Sequence, residues 1–130
     1  MIHSIKEWFE VAKPNPSTAD ACVQIGCHYE EVSEMSATLN DDVEYALAAT
    51  ALAYKMNYSE YQGALEELSA DERVDLLDAL CDQVVTAIGA AYMMGMDIEG
   101  ALAEVNRSNW SKFEGGVPVF NEQGKIAKGV

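Results

Sequence analysis

The chain has 130 residues, 49% of them hydrophobic, which suits one folded domain with a core and argues against intrinsic disorder. Its 22 acidic residues against 8 basic ones give a formal net charge of −14. That balance excludes a basic nucleic-acid-binding surface, so we expect no nucleic-acid polymer among its partners. A solvated acidic surface, a cation-binding protein and a mimic of the nucleic-acid backbone remain open.

Cysteine usage points to a reducing compartment, and hydropathy points to a chain without a membrane span. The three cysteines form no Cys-x-x-Cys pair, and we expect them to be reduced packing residues of a cytoplasmic protein. Charged residues interrupt both the N-terminal segment and the longest apolar run. We therefore expect neither a signal peptide nor a membrane span.

Apolar residues recur at three- and four-residue spacing through most of the chain, which is typical of amphipathic helices. Pro14 and Pro16 end the first helix, and Ser17 or Thr18 caps the second. In chain order, the predicted elements are a helix over 1–13, a helix from about Asp20 to Leu39, a helix from about Asp42 to Tyr54 with an Asn40 cap, a turn at a Ser59 capping box, a helix from about Asp71 to Met94 closed by Gly95, and a helix from Asp97 to about Asn106.

The last part of the chain changes character, because glycines and a proline punctuate a few apolar residues. This pattern predicts a short extended or hairpin tail. We therefore expect an all-α fold, a bundle of four to five helices ending in this tail. The single domain would span 1–130, with an N-terminal helix over 1–13, a helical core over 20–106 and a tail over 107–130.

A pair of acids interrupts the second predicted helix. Glu31 and Glu34 lie one turn apart, on a stripe that they share with Val23, Cys27 and Met35. Carboxylates on such a stripe are costly to bury unless a positive charge neutralises them. A divalent cation is the obvious candidate.

The long helix carries a second acidic stripe. Asp71, Asp75, Asp78 and Asp82 are spaced 4, 3 and 4 residues apart, so they fall within an arc of roughly 60° at the helical repeat. Such a stripe is usually a solvated helix face, and we favour that interpretation for Asp71, since a first turn attracts acids. For Asp75, Asp78 and Asp82 a buried position stays open as the alternative, because these residues lead into an apolar stretch. Its residues Leu77, Cys81, Val84 and Ile88 are expected to face the core.

If the two helices pack antiparallel, Glu31, Glu34, Asp78 and Asp82 converge. Oxygen-only ligands of high negative charge suit Mg²⁺ or Mn²⁺ better than zinc. Helix bundles hold such ions with acids from facing helices.

These acids and the C-terminal segment together resemble the MazG-type all-α nucleotide pyrophosphohydrolases, over roughly residues 20–129. The matching motifs are Glu31-x-x-Glu34, the later acidic pair, Ser108-Asn109-Trp110-Ser111-Lys112 (the Ser-Asn-x-Ser-Lys tail of the phage and bacterial branch), Gly124-Lys125-Ile126 and Lys128-Gly129. The family's second motif is commonly Glu-x-x-Asp. Here Asp78 and Asp82 are spaced by four, whereas Asp75-x-x-Asp78 keeps the spacing of three, so Asp75 is an alternative ligand to Asp82.

The resemblance implies cleavage of a nucleoside triphosphate between its α- and β-phosphates, giving a monophosphate and pyrophosphate. Glu31, Glu34, Asp78 and Asp82 would hold Mg²⁺, with Mn²⁺ an alternative, and Glu30 would take the proton of the attacking water. For Glu30, a metal ligand or a solvated acid is an equal alternative. The predicted substrate-binding residues are Asn109, Lys112 and Lys125. The resemblance also implies a homodimer or homotetramer.

Two other classes compete with the enzyme. The first is an acidic, non-enzymatic DNA mimic, which the charge of −14 suits. The second is a metal-binding helical interaction protein without turnover. For Lys112, a helix C-terminal cation that interacts with the macrodipole is an equal alternative to a phosphate contact.

Overall fold

The computed structural model describes residues 1–114 and 117–118. Within them the chain is helical apart from one hairpin of two-residue strands, so the predicted all-α class is confirmed. The elements are α1 (Ile2–Ala12), α2 (Thr18–Leu39), α3 (Glu44–Lys55), α4 (Ser59–Glu66), α5 (Ala70–Met93), α6 (Ile98–Ser111), β1 (Phe113–Glu114) and β2 (Val117–Pro118). The strands pair antiparallel. The other residues of the predicted tail, Lys125 included, lie outside the described residues.

Two helices begin at the caps that the sequence predicts. The backbone N–H of Asp20 donates to Ser17 Oγ at 3.1 Å, and the backbone N–H of Ser17 donates to the Asp20 carboxylate at 2.9 Å. This reciprocal box satisfies donors that the first turn of α2 leaves without a helical partner. Asp97 caps α6 by accepting from the N–H of Gly100 at 3.0 Å.

Two other predicted caps were wrong, because neighbouring residues take those positions. Asn40 does not begin the third helix; it ends α2 in the left-handed conformation, with φ of 59°. Asp41 instead accepts from the N–H of Val43 at 3.1 Å, just ahead of α3. Helix α4 starts at Ser59, but its N-cap is Tyr58, which makes no side-chain capping bond.

The chain divides into two compact units. Unit 1 comprises Met1–Asn15 and Ala70–Val130, and unit 2 comprises Pro16–Ser69. The predicted proline linker falls at one of the boundaries. The expectation of a single domain over 1–130 depends on how these units combine, and it stays a prediction.

Small residues let α2 and α3 of unit 2 approach closely. A Cβ added at Gly26 would lie 2.8 Å from both the carbonyl oxygen of Ala51 and the backbone nitrogen of Lys55. Buried Cys22 donates its thiol to the carbonyl of Tyr54 at 3.5 Å, and burial raises the pKa of that thiol. The close approach of the two helix backbones at Gly26 and Cys22 therefore depends on small side chains, while Tyr29 of α2 stacks on Tyr54 of α3 with ring centroids 5.6 Å apart.

Aromatic side chains hold α1 of unit 1 against the end of α6. Trp8 stacks on Phe113 with ring centroids 5.2 Å apart, and Trp110 meets the same ring edge-on at 5.6 Å. The Ser4 hydroxyl accepts from Asn106 Nδ2 at 2.9 Å and from Trp110 Nε1 at 3.3 Å. The segment that follows Val105 is thereby anchored to the N-terminal helix.

Helix α5 is exposed along nearly its whole length. Leu77, Val84 and Ile88 are 62%, 51% and 46% exposed, and Cys81 is exposed as well. The expectation that these four side chains face the core was wrong for the chain as the structure describes it. Gly95, with φ of 72°, closes the helix as predicted.

In the described part of the chain, no helix has the length and apolar character needed to cross a membrane.

Candidate metal and nucleotide site

Glu31 and Glu34 lie on the solvent side of α2. The residues of α2 that are buried toward its interior face are Cys22, Gly26, Ser33 and Ser36. At about 100° per residue, Glu31 lies nearly opposite that face and Glu34 lies beside it. Both glutamates are exposed. The stripe they share with Val23 and Cys27 is therefore not the surface that packs on α3, and both carboxylates are presented outward, one turn apart.

Glu30 forms a half-buried ion pair with Lys55. Glu30 Oε2 contacts Lys55 Nζ, and the two side chains are 34% and 17% exposed. The end of α3 brings the lysine to this point, since the Lys55 stem passes over the bare backbone of Gly26. A carboxylate withdrawn from water is stabilised by such a partner. The role of Glu30 as the base that activates water stays a prediction. The structure adds that Lys55 orients the Glu30 carboxylate.

Lys55 is the residue of this region that the sequence interpretation missed. It is the only Lys or Arg between Lys13 and Arg73 in a very acidic chain. That isolation was a usable signal, because a solitary base among acids is a candidate for a specific ion pair. Pattern alone gave no contact between Lys55 and Glu30, which are far apart in sequence and meet only through the packing of α2 on α3.

Asp78 and Asp82 are exposed on α5, one turn apart, and Asp75 is exposed one turn earlier. They belong to unit 1, whereas Glu31 and Glu34 belong to unit 2. Among the residues that the structure describes, no group of three or more His, Cys, Asp or Glu side chains could hold a metal ion. The convergence of the two carboxylate pairs stays a prediction, and so does the choice between Asp75 and Asp82.

The structure brings Asn109 and Lys112 together at the end of α6. Lys112 Nζ donates to Asn109 Oδ1 at 2.8 Å, and both residues are half-buried. The Ser111 hydroxyl donates to the carbonyl of Ser108 at 2.6 Å. The segment Ser108–Lys112 is thus the last turn and C-cap of α6, past the predicted helix end at Asn106. Lys112 consequently lies where it interacts with the helix macrodipole and where it presents an ammonium group beside an amide.

Arg107, another base of this segment, is engaged with Glu104. Its guanidinium donates two hydrogen bonds to the carboxylate, from Nε at 2.8 Å and from Nη2 at 2.5 Å. The side-chain hydrogen bond from Arg107 lowers the pKa of Glu104, and the same bond raises the pKa of Arg107. Lys112 is therefore the better candidate for contact with an anionic ligand.

No family model, no curated protein and no solved structure matches the chain. The class of protein is therefore proposed from the residues of the site and from the motifs that resemble MazG-type enzymes.

Proposed function

We propose that this chain is a Mg²⁺-dependent nucleoside triphosphate pyrophosphohydrolase, which cleaves a ribo- or deoxynucleoside triphosphate to the monophosphate and pyrophosphate. One observation carries the proposal. Two carboxylate pairs, Glu31 with Glu34 and Asp78 with Asp82, are each presented one turn apart on the exposed side of a helix. These are the oxygen donors that a hard divalent cation takes. The motif resemblance over roughly residues 20–129 supports the nucleotide as substrate.

The donor chemistry fits Mg²⁺, with Mn²⁺ as the alternative, and Glu31, Glu34, Asp78 and Asp82 would hold the ion, Asp75 being the substitute for Asp82. Bound there, the ion would supply the positive charge that neutralises the triphosphate. In a chain with net charge −14, that neutralisation is needed before a polyanion can approach.

The paired Asn109 and Lys112 provide the substrate contacts in this proposal. An ammonium group has three donors, and Asn109 takes one of them. The others remain for phosphate oxygens, while the Asn109 side chain bonds the base or sugar. Lys125 is proposed as a further phosphate contact, and Glu30, oriented by Lys55, as the base that takes the proton of the attacking water.

The oligomeric state follows from the resemblance, whereas the bundle follows from the helical periodicity and the compartment from the cysteine usage. We propose a bundle of four to five helices ending in a short tail, a homodimer or homotetramer in solution, and the cytoplasm as the compartment.

The decisive test measures pyrophosphate and monophosphate release from ribo- and deoxynucleoside triphosphates, with Mg²⁺ and with chelator. We expect metal-dependent release that falls at least ~100-fold in Glu34→Gln and in Asp78→Gln, because each change removes a carboxylate ligand. Glu60→Gln is the matched control, an exposed acid on α4 outside both pairs; it should keep wild-type activity. A folded protein that releases no pyrophosphate from any nucleotide with either metal overturns the proposal.

The DNA mimic is the second candidate, and the exposure of the whole stripe Asp71, Asp75, Asp78 and Asp82 favours it. Yet these four acids give one charge per ~5 Å of helix axis, whereas a nucleic-acid strand carries one per ~3.4 Å. The stripe is thus sparser than the surface it would imitate. A metal-binding interaction protein without turnover would bind Mg²⁺ through the same acids and release no product, so the same assay separates it from the enzyme.

A further inference from the structure

Helix α5 exposes a continuous apolar arc. Six of its side chains are between 42% and 65% exposed: Val74, Leu77, Leu80, Val84, Val85 and Ile88. At about 100° per residue they span roughly 140° of the helix circumference. The acids Asp75, Asp78 and Asp82 lie beyond one edge of this arc. A stripe this wide is typical of a helix that packs against other helices, and in water it is unstable as a bare surface.

The arc has the size of a dimer interface. Exposed Tyr92 lies at the same position around the helix as Val74 and continues the arc. From Val74 to Tyr92 the arc is about 27 Å long, and at this width it offers on the order of 400 Å². Two copies would bury about 800 Å² between them, which is the size of a weak, reversible protein interface.

The distribution of charge along α5 favours a second copy of this chain as the partner and an antiparallel direction for its α5. All acids of the helix lie between Asp71 and Asp82, and residues 83–93 carry no charge. A parallel pair would set the two acidic halves side by side. An antiparallel pair sets each acidic half beside a neutral half and also pairs opposite ends of the helix dipoles. Apart from Arg73 at its N-terminal end, the arc is free of charge, so a second copy of the same arc is its complement under a two-fold axis.

From these observations we propose that α5 is a homodimer interface, in which the apolar arc packs antiparallel against α5 of a second copy. The two-fold axis passes near residues 82–83, the middle of the arc from Val74 to Tyr92, so that Leu77 lies across from Ile88 of the partner subunit. The proposal rests on the exposure and charge of α5, and it holds whether or not the chain hydrolyses nucleotides. It assigns the association to one helix, which the resemblance to an enzyme family does not do.

The first test is the mass in solution by sedimentation equilibrium, for the wild type, Val84→Lys and Ala79→Lys. We expect a dimer for the wild type. Val84→Lys should weaken dimerisation on the order of a hundredfold, because it buries an unpaired ammonium group in the interface. Ala79→Lys adds the same charge at an exposed position outside the arc and should remain dimeric. Since Val84 is half exposed in the single chain, circular dichroism should show unchanged helix content in both variants.

A second test checks direction. Leu77→Cys and Ile88→Cys are each made with Cys27 and Cys81 replaced by serine, and are then oxidised singly and as a mixture. An antiparallel pair yields disulfide dimers predominantly from the mixture, whereas a parallel pair yields them from each variant alone and overturns the proposed direction.

Three outcomes overturn the interface itself. A wild-type chain that is monomeric at tens of micromolar would do so. If the α5 amides of that monomer are protected from hydrogen exchange, residues of the same chain cover the apolar arc. A Val84→Lys variant that stays dimeric would place the interface elsewhere. Dimerisation that appears only when a nucleotide is added would make the face a ligand-dependent one.

Discussion

At the scale of single residues, the pairing of Glu30 with Lys55 is the most informative contact. Two long side chains meet at the point where Gly26 leaves room beside the backbone of α3. The pair is withdrawn from water but not sealed from it, so its net contribution falls between that of a surface pair and that of a fully buried one. Its main effect is to fix one carboxylate next to Glu31 and Glu34.

Lys55→Met keeps the aliphatic stem and removes the charge, leaving Glu30 half-buried without this cation. We expect a loss of about 1–2 kcal/mol in the free energy of unfolding, measured by urea denaturation. Adding Glu30→Gln in the same chain should recover part of it. Lys6→Met, which breaks the exposed Lys6–Glu10 pair at 3.8 Å, is the control and should change stability by less than about 0.5 kcal/mol. Equal effects of the two lysine variants would show that the buried pair contributes nothing specific.

At the scale of elements, the close approach of α2 and α3 determines where unit 2 places its acids. With Gly26, Ser33 and Ser36 on the buried side of α2, the opposite side is left for Glu31. The Ser33 hydroxyl donates to the carbonyl of Glu44 at 3.3 Å and ties the middle of α2 to the start of α3. The outward direction of the carboxylates is therefore a consequence of which small residues pack.

Gly26→Ala should destabilise unit 2, although alanine is the better helix former. The added methyl group meets backbone atoms of Ala51 and Lys55 at 2.8 Å, and forcing α2 and α3 apart costs about 1–3 kcal/mol. That cost exceeds the gain of up to ~1 kcal/mol in helix propensity. In Gly63→Ala of α4 the new Cβ meets nothing within 4 Å, so this control should gain stability by roughly 0.5–1 kcal/mol. Urea midpoints of the two variants moving in the same direction would contradict this account.

The sequence predicted helices well where a local signal marks their ends. Ser17, Gly95 and Asp97 act at their predicted positions, because capping and left-handed closure depend on a few adjacent residues. The predicted cap at Asn40 was wrong, because asparagine suits both the start of a helix and a left-handed helix end. The path of the chain decides between the two, and here Asn40 ends α2.

The site could be predicted only in part, for a similar reason. Spacing placed Glu31 with Glu34, and Asp78 with Asp82, correctly on shared sides of single helices. It could not tell which side of a helix faces inward when small residues make the contact, as Gly26 does. The ion pair of Lys55 with Glu30 could not be predicted for the same reason. The contact of Asn109 with Lys112 could be, because helical spacing brings residues three apart together.

At the scale of the whole molecule, net charge opposes any association of copies. Two chains of charge −14 repel each other, while the apolar arc of α5 attracts. The charge is long-ranged and screened by salt, and the apolar contact is short-ranged and not screened.

We therefore expect the dimer proposed for α5 to tighten at least severalfold between about 20 and 500 mM NaCl, as the Debye length falls from roughly 20 to 4 Å. Sedimentation equilibrium at both salt concentrations measures this. Ala79→Lys, which adds a positive charge to each copy, should show a weaker salt dependence. Dissociation with rising salt would indicate an interface held by ion pairs instead.

The placement of the aromatic residues gives each unit its own optical signal. Both tryptophans, Trp8 and Trp110, belong to unit 1, where they share the ring of Phe113. Five of the six tyrosines belong to unit 2; they are Tyr29, Tyr45, Tyr54, Tyr58 and Tyr61. Indole emission therefore reports on one unit, and phenol absorbance mainly on the other, without any introduced label. Whether the two signals change at the same denaturant concentration measures directly how far the halves of this chain unfold as one cooperative body.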